Sequence, residues 1–301
     1  MKHSDPSERN LFRRTVSAVF FLCLVMALTF LPTACGGSQE GASLGVAAYA
    51  EMEALLKAHP SRDAGQGSLD AAHWIAARLR DGSSGKDASV PQLIPVPGGP
   101  GPMANVLYTP AGVRPVAVLV SHFDTKSGIP GFVGANDGGS TTGLLLALAK
   151  HRPNLPVIYL FVDGEECVNT YTSGDGLHGS WHAARTGVGG QLPVIVLDML
   201  GDRGFTPALA ANGSPWLNGV IRRAAARTGL TLGDAGVMVD DHVPFVACGR
   251  RTADIIDFSF GPENAWWHTS EDTADKVSAE SLAKAAALVI ETVRLLEKEA
   301  Q

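Results

Sequence analysis

The chain has 301 residues and only four cysteines, Cys23, Cys35, Cys167 and Cys248, with no CxxC pair among them. That excludes a disulfide scaffold and a cysteine-ligated zinc finger. No Lys- or Arg-rich run occurs and the formal net charge is −6, so no basic face for nucleic acid is expected. Charged residues make up 18%, too few for a coiled coil, and 45% hydrophobic residues exclude a disordered chain. The 34 glycines follow no G-X-Y period. Beyond the N-terminal region there is neither a second linker nor an internal repeat, so the length suits one large domain.

What is present begins with an address. Lys2, Arg9, Arg13 and Arg14 precede an uncharged run from Thr15 to Leu31, then Pro32-Thr33-Ala34-Cys35. A basic region, an apolar region and small residues before a cleavage point make a secretory signal. The run is shorter than the ~20 residues that span a bilayer. A cysteine directly after Thr-Ala resembles the bacterial lipoprotein signal, with Cys35 as the lipidated residue. Pro32 departs from the aliphatic residue that signal prefers, and plain secretion or a membrane anchor are the alternatives. Residues 1–35 are thus read as signal peptide, 36–44 as a flexible tether and 45–301 as one catalytic domain. The expected location is outside the cytoplasm, lipid-anchored to a bacterial membrane and facing periplasm or exterior.

Apolar spacing predicts helices over 46–58, 69–80, 139–151, 177–186, 214–228 and from about Ser278, its N-cap, to Glu299. Continuous apolar runs at 116–120, 157–162 and 194–197 and, less cleanly, Ile255-Ile256 with Phe258 predict strands buried on both faces. Residues 81–102 read as loop. This pattern predicts an α/β fold, a three-layer α/β/α sandwich around a mixed, mainly parallel sheet.

Each predicted strand hands over to polar residues of metal-ligand type. They are His122 and Asp124, then Asp163-Gly164-Glu165-Glu166, Asp198, and His268 after Trp267; Asp137 precedes the apolar helix at 139. In open α/β sheets, sites lie beyond the carboxyl ends of the strands. His, Asp and Glu suit zinc. Several buried carboxylates together repel and resist ionisation, which a dication relieves. Asp124, two residues after His122, is placed to hold a ligand imidazole. Asp163 reads as a turn cap beside Gly164. A lone Asp at a strand end is usually a cap and a lone His usually structural; the convergence of all five groups is what points to a site.

The order HxD (122–124), GANDGGSTTG (134–143), DGEE (163–166), LDML (197–200), DDHVPF (240–245) and WWHT (266–269) resembles the zinc-dependent exopeptidase family of the M-28 type. That family includes secreted bacterial aminopeptidases and glutaminyl cyclases, and the resemblance covers about 100–295. It implies a phosphorylase/hydrolase-like fold. It implies zinc ligands at His122, Asp137, Glu166, Asp198 and His268, with Asp137 bridging, Glu165 as general base, and a cis peptide at Asp137–Gly138. The segment CVNTYTSGDGLHGS after Glu166, Trp267 before His268 and Asp240 in DDH resemble the cyclase branch. That branch implies one zinc on Asp137, Glu166 and His268. It also implies catalytic acids at Asp240 and Asp198, and pocket walls at Trp267 and Tyr171. The expected activity is conversion of N-terminal glutamine of a peptide to pyroglutamate with release of ammonia. The alternative is a two-zinc aminopeptidase acting on peptides with a free N-terminus; a non-catalytic binding module is the third. Tyr171 stands where animal cyclases carry Trp, and the tail after 261 is peptidase-like. Core packing is the plain alternative for both aromatics. Cys167 and Cys248 read as free thiols rather than a pair, and nothing in the sequence sets the oligomeric state.

Overall fold

Seven α-helices and eight strands can be assigned in a computed structural model that describes residues 35–82, 91–96, 99, 101–172 and 174–300. The predicted signal segment before Cys35 and the side chain of Cys35 lie outside the described residues. The chain divides into Met1–Gln39 and Glu40–Gln301. Of the first part only the opening of helix α1 is described; everything below concerns the second.

Helices α1 (Cys35–Ala58) and α2 (Gln66–Gly82) come first, then β1 (Gln92–Ile94), β2 (Met103–Tyr108), β3 (Ala117–His122), α3 (Gly139–His151) and β4 (Val157–Val162). They are followed by α4 (His178–Arg185), β5 (Val194–Asp198), β6 (Ala208–Ala210), α5 (Pro215–Thr228) and β7 (Gly233–Gly236). Helix α6 (His242–Ala247), β8 (Thr252–Ile256) and α7 (Ala279–Glu299) complete the unit. The segment expected to be a tether, 36–44, is helical instead. Leu44, Ala48, Met52 and Leu55 share one face and are buried, and a packed turn lets the helix extend backward at little further nucleation cost. Ser278 caps α7 as expected, its side chain accepting from Ser281 N.

The strands form one mixed sheet in the order β1-β2-β4-β3-β5-β8-β6-β7. The central four, β4, β3, β5 and β8, are parallel. β4, β3 and β5 coincide with the apolar runs, because a strand covered on both faces has no polar side, while β8 carries Thr252 and Asp254 within it. Leu119, Phe161, Ile195, Leu197 and Ile255 join the core shared with α1, α2, α3, α5 and α7. Val118, Val120, Leu160, Val162 and Val196 alternate with them and meet α4 and Phe245 of α6. This period-2 division makes the three layers. From β3 the chain crosses to β4 on one side, then back to β5 on the other. The reversal leaves a crevice at the carboxyl end of β3, where α/β sheets place their sites. Among the described residues no helix is long and apolar enough to cross a membrane.

Candidate active site

His122 is the last residue of β3 and Asp198 the last of β5, while Glu166 lies just past β4. Asp137 sits in the turn before α3 and His268 in the loop after β8. The five predicted ligands meet in two groups that share Asp137. His122 Nε2 is 3.2 Å from Asp137 Oδ1 and 3.1 Å from Asp198 Oδ1. His268 Nε2 is 3.3 Å from Asp137 Oδ2 and 3.0 Å from Glu166 Oε1. One carboxylate therefore offers an oxygen to each imidazole, the arrangement of a bridging ligand.

The donor set fits a dication. His and carboxylate oxygens are zinc-type ligands, and Asp137 Oδ2 and Glu166 Oε2 are buried without a formed hydrogen bond. The charges also call for a positive centre. Burial, then the Asp137 charge, push Glu166 up to about 7. Burial opposes the charge on His268, but its bonds to Asp137 and Glu166 outweigh this and raise it to about 9. His122 is likewise raised against its burial by Asp124, Asp137 and Asp198.

The turn carrying Asp137 depends on Gly138. Its φ is 75°, and a Cβ there would lie 2.9 Å from the His122 ring, so only glycine lets the ring and the turn approach. The cis bond expected at Asp137–Gly138 is absent: no described peptide bond is cis, and this left-handed glycine makes the turn. His268 itself has φ 52°, a strained conformation for a non-glycine residue.

Glu165, the predicted base, is buried at 6% exposure. Its carboxyl is raised well above the usual range, first by burial. Tyr171 Oη donates to it, 3.0 Å from Oε1 and 3.2 Å from Oε2; the ring expected to be only a wall touches the base. Asp124 differs in a similar way. It lies 3.7 Å from His122 Nδ1, a nitrogen left without a hydrogen bond. Its two oxygens also accept from Glu165 N at 3.1 Å and Glu166 N at 3.0 Å. Asp124 thus fixes the backbone of the double Glu. Asp163, hydrogen-bonded to the Gly164 backbone as a turn residue would be, also accepts through Oδ2 from Ala104 N at 2.9 Å and ties β4 to β2.

Asp240 is buried and grouped with His242 and Asp254. Burial pushes Asp240 and Asp254 well up and His242 down to about 4. Charges on Asp241 and Asp240 contribute to the upward shift of Glu165. Trp267 stacks on His268 with ring centres 3.9 Å apart and 20° between planes, and Phe258 meets Trp267 edge-on at 4.9 Å. Cys167 is buried, Cys248 is exposed, and both are free.

Three supporting residues escaped the sequence reading. Arg62 is fully buried and donates to Phe123 O at 2.6 Å, Val133 O at 3.0 Å and Gly134 O at 3.0 Å. It clamps the two segments that carry His122 and Asp137. Asp272 accepts from Asn136 N at 2.7 Å and Asp137 N at 3.1 Å, joining the His268 loop to the Asp137 turn. Asp254 interrupts an apolar strand, and that break in the run was its available signal.

Residues 105–293 match Peptidase family M28, and the chain belongs to that family. It is 31% identical to a glutaminyl cyclase from an Acidobacteriales bacterium, with a TM-score of 0.75, covering 85% of this chain and 95% of that one. A Mus musculus glutaminyl-peptide cyclotransferase-like protein is 27% identical over 252 residues, 69% of this chain and 64% of its own length. The chain spans less than two-thirds of the length of the curated relatives it matches. A leucine aminopeptidase precursor from Bacteroides thetaiotaomicron shares the fold at 22% identity and a TM-score of 0.68, covering 83% and 96% of the two chains.

Proposed function

We propose that this chain is a zinc-dependent glutaminyl cyclase acting on peptides with N-terminal glutamine. Asp137, Glu166 and His268 are the residues that would hold the zinc, with His122 and Asp198 retained beside them. Bound there, zinc supplies Lewis-acid polarisation of the side-chain amide carbonyl. Glu165 takes a proton from the attacking α-amine and returns it to the departing ammonia. Asp240, Asp254 and Asp198 form the acidic surround against which that proton is held. The reaction is intramolecular and closes a five-membered ring, so orientation supplies much of the acceleration.

The observation that carries this reading is the aromatic lining. Trp267 lies flat on His268, and Tyr171 reaches Glu165 from a loop built around Asp175. Asp175 accepts from the N–H groups of Val168, Asn169 and Thr170 at 2.6, 2.8 and 3.1 Å. Such walls confine a glutamine stem and keep out the water that would divert the reaction to hydrolysis. The likeness to the Acidobacteriales enzyme supports it. Incubating the zinc-loaded chain lacking residues 1–35 with a Gln-Phe-Ala peptide is expected to yield a peptide lighter by one ammonia, read by mass. Release of free glutamine instead would establish the second reading, a two-zinc aminopeptidase. The two-sided presentation of Asp137 to His122 and His268 favours that reading.

We also propose that the chain is exported and anchored through lipid on Cys35. Cys35→Ala is expected to move the full chain from membrane to soluble fractions; unchanged partition would refute the anchor.

A further inference from the structure

Glutamate's last torsion is soft, so a catalytic carboxylate needs something to fix its plane. In this site the phenol oxygen of Tyr171 lies 3.0 and 3.2 Å from the two oxygens of Glu165, nearly midway between them. One O–H centred there resists rotation of the carboxylate while leaving outer lone pairs for the substrate. The loop is made to deliver it. Asp175 gathers three successive backbone N–H groups, and Leu177 N returns to Glu165 O at 2.9 Å. Gly176, at φ 89°, lets the ring in, since a Cβ there would meet Tyr171 Cδ1 at 2.7 Å. The Lys126 ammonium lies 5.8 Å from the ring centre, a cation–π contact on the same side chain that approaches Glu166 Oε2 at 3.8 Å. A side chain serving only as an apolar wall needs no oxygen in this place.

We infer that Tyr171 is a positioning residue for Glu165, orienting the base for proton transfer, an inference that rests on the cyclase reading. The phenol stays protonated, because burial and then the Glu165 charge push it far upward. The test is steady-state ammonia release from the Gln-Phe-Ala peptide by the zinc-loaded wild type, Tyr171→Phe and Tyr171→Leu, with zinc content measured for each. Tyr171→Phe keeps the ring and removes one oxygen. It is expected to lower kcat about tenfold with KM nearly unchanged and zinc content equal to wild type, the signature of an interaction made in the transition state. Tyr171→Leu removes the ring as well and is expected to raise KM in addition. Wild-type kcat in Tyr171→Phe, or a raised KM at constant kcat, would overturn the inference and leave Tyr171 a wall. A wild-type chain that forms no pyroglutamyl product would bring down the functional reading first, and this one with it.

Discussion

The two ends of the parallel strands share one sheet but solve opposite electrostatic problems. At the carboxyl end, Asp137, Glu166, Asp240, Asp254 and His122 are buried, and each has a polar atom without a hydrogen bond. At the amino end, Arg114, Arg251, Trp216 and Glu299 line an open cavity of about 440 Å³. An ion pair there stays near water: Arg223 and Glu299 pair at 2.5 Å with side chains 53% and 38% exposed. Hydration makes the second arrangement cheap and nearly neutral in energy, whereas burying charged groups whose polar atoms are not all hydrogen-bonded is costly. A chain that concentrates such cost at one end has a use for it there.

The largest test of this contrast is Glu165→Gln, expected to lower kcat by about 10²–10⁴-fold, the span of general acid–base catalysis, with zinc retained on elemental analysis. Turnover near wild type would remove Glu165 from the chemistry. Next comes the division between the two ligand groups. His268→Ala is expected to weaken zinc more than about 100-fold in competition with a chelator, beyond the effect of losing a mere supporting contact. His122→Ala is expected to leave one equivalent bound. Loss of an equivalent in both variants would indicate two metals and the peptidase reading.

A smaller effect concerns pH. Burial, then the Asp137 charge, raise Asp272 to about 7, so the metal-free folded state holds a proton there that the unfolded chain releases at lower pH. Glu166 at about 7 and His268 at about 9 act in the same direction. The stability gained from these protons is fully present below the unfolded carboxyl values and is lost as pH rises through 7 and toward 9. The thermal stability of metal-free protein is therefore expected to fall from pH 5 to 8, by on the order of 2 kcal/mol for Asp272 alone. Asp272→Asn should flatten that slope, and zinc should do so too. The smallest effect belongs to the amino end: Arg223→Ala is expected to change stability by about 0–1 kcal/mol and leave turnover unaltered. A large loss of turnover there would break the contrast.

The parts legible in the sequence were those with a strong local code. Residues 139–151 form the predicted helix, and Val157–Val162 is a strand to the residue, because doubly covered strands must be continuously apolar. The grouping of His122, Asp137, Glu166, Asp198 and His268 was legible because side chains of one chemistry recur at successive strand ends, where any one alone would read as a cap. The edge strands were not. Ala208–Ala210 and Gly233–Gly236 carry small residues with no alternation, and their pairing is decided by β8 and by each other. The helical start at 35–45 was hidden by glycines whose low propensity is overridden by packing at Leu44 and Ala48. Arg62 was invisible because nothing local tells a buried guanidinium from a solvated one. Tyr171 was read as a wall, and the contact of its hydroxyl with Glu165 depends on the folded chain rather than on any local code.

Arg62 has a consequence for how the molecule comes into being. Its guanidinium joins carbonyls 61, 71 and 72 residues away, and the candidate ligands span from His122 to His268. Every one of these contacts closes a long loop, and loop closure must precede any return from the contact. The helices can form early from neighbouring residues; the crevice can form only once β3, β4, β5 and β8 are registered. The chain is therefore expected to assemble the carboxyl end of its strands last, with the carboxylates dispersed in water until then, where they neither repel one another nor require a metal.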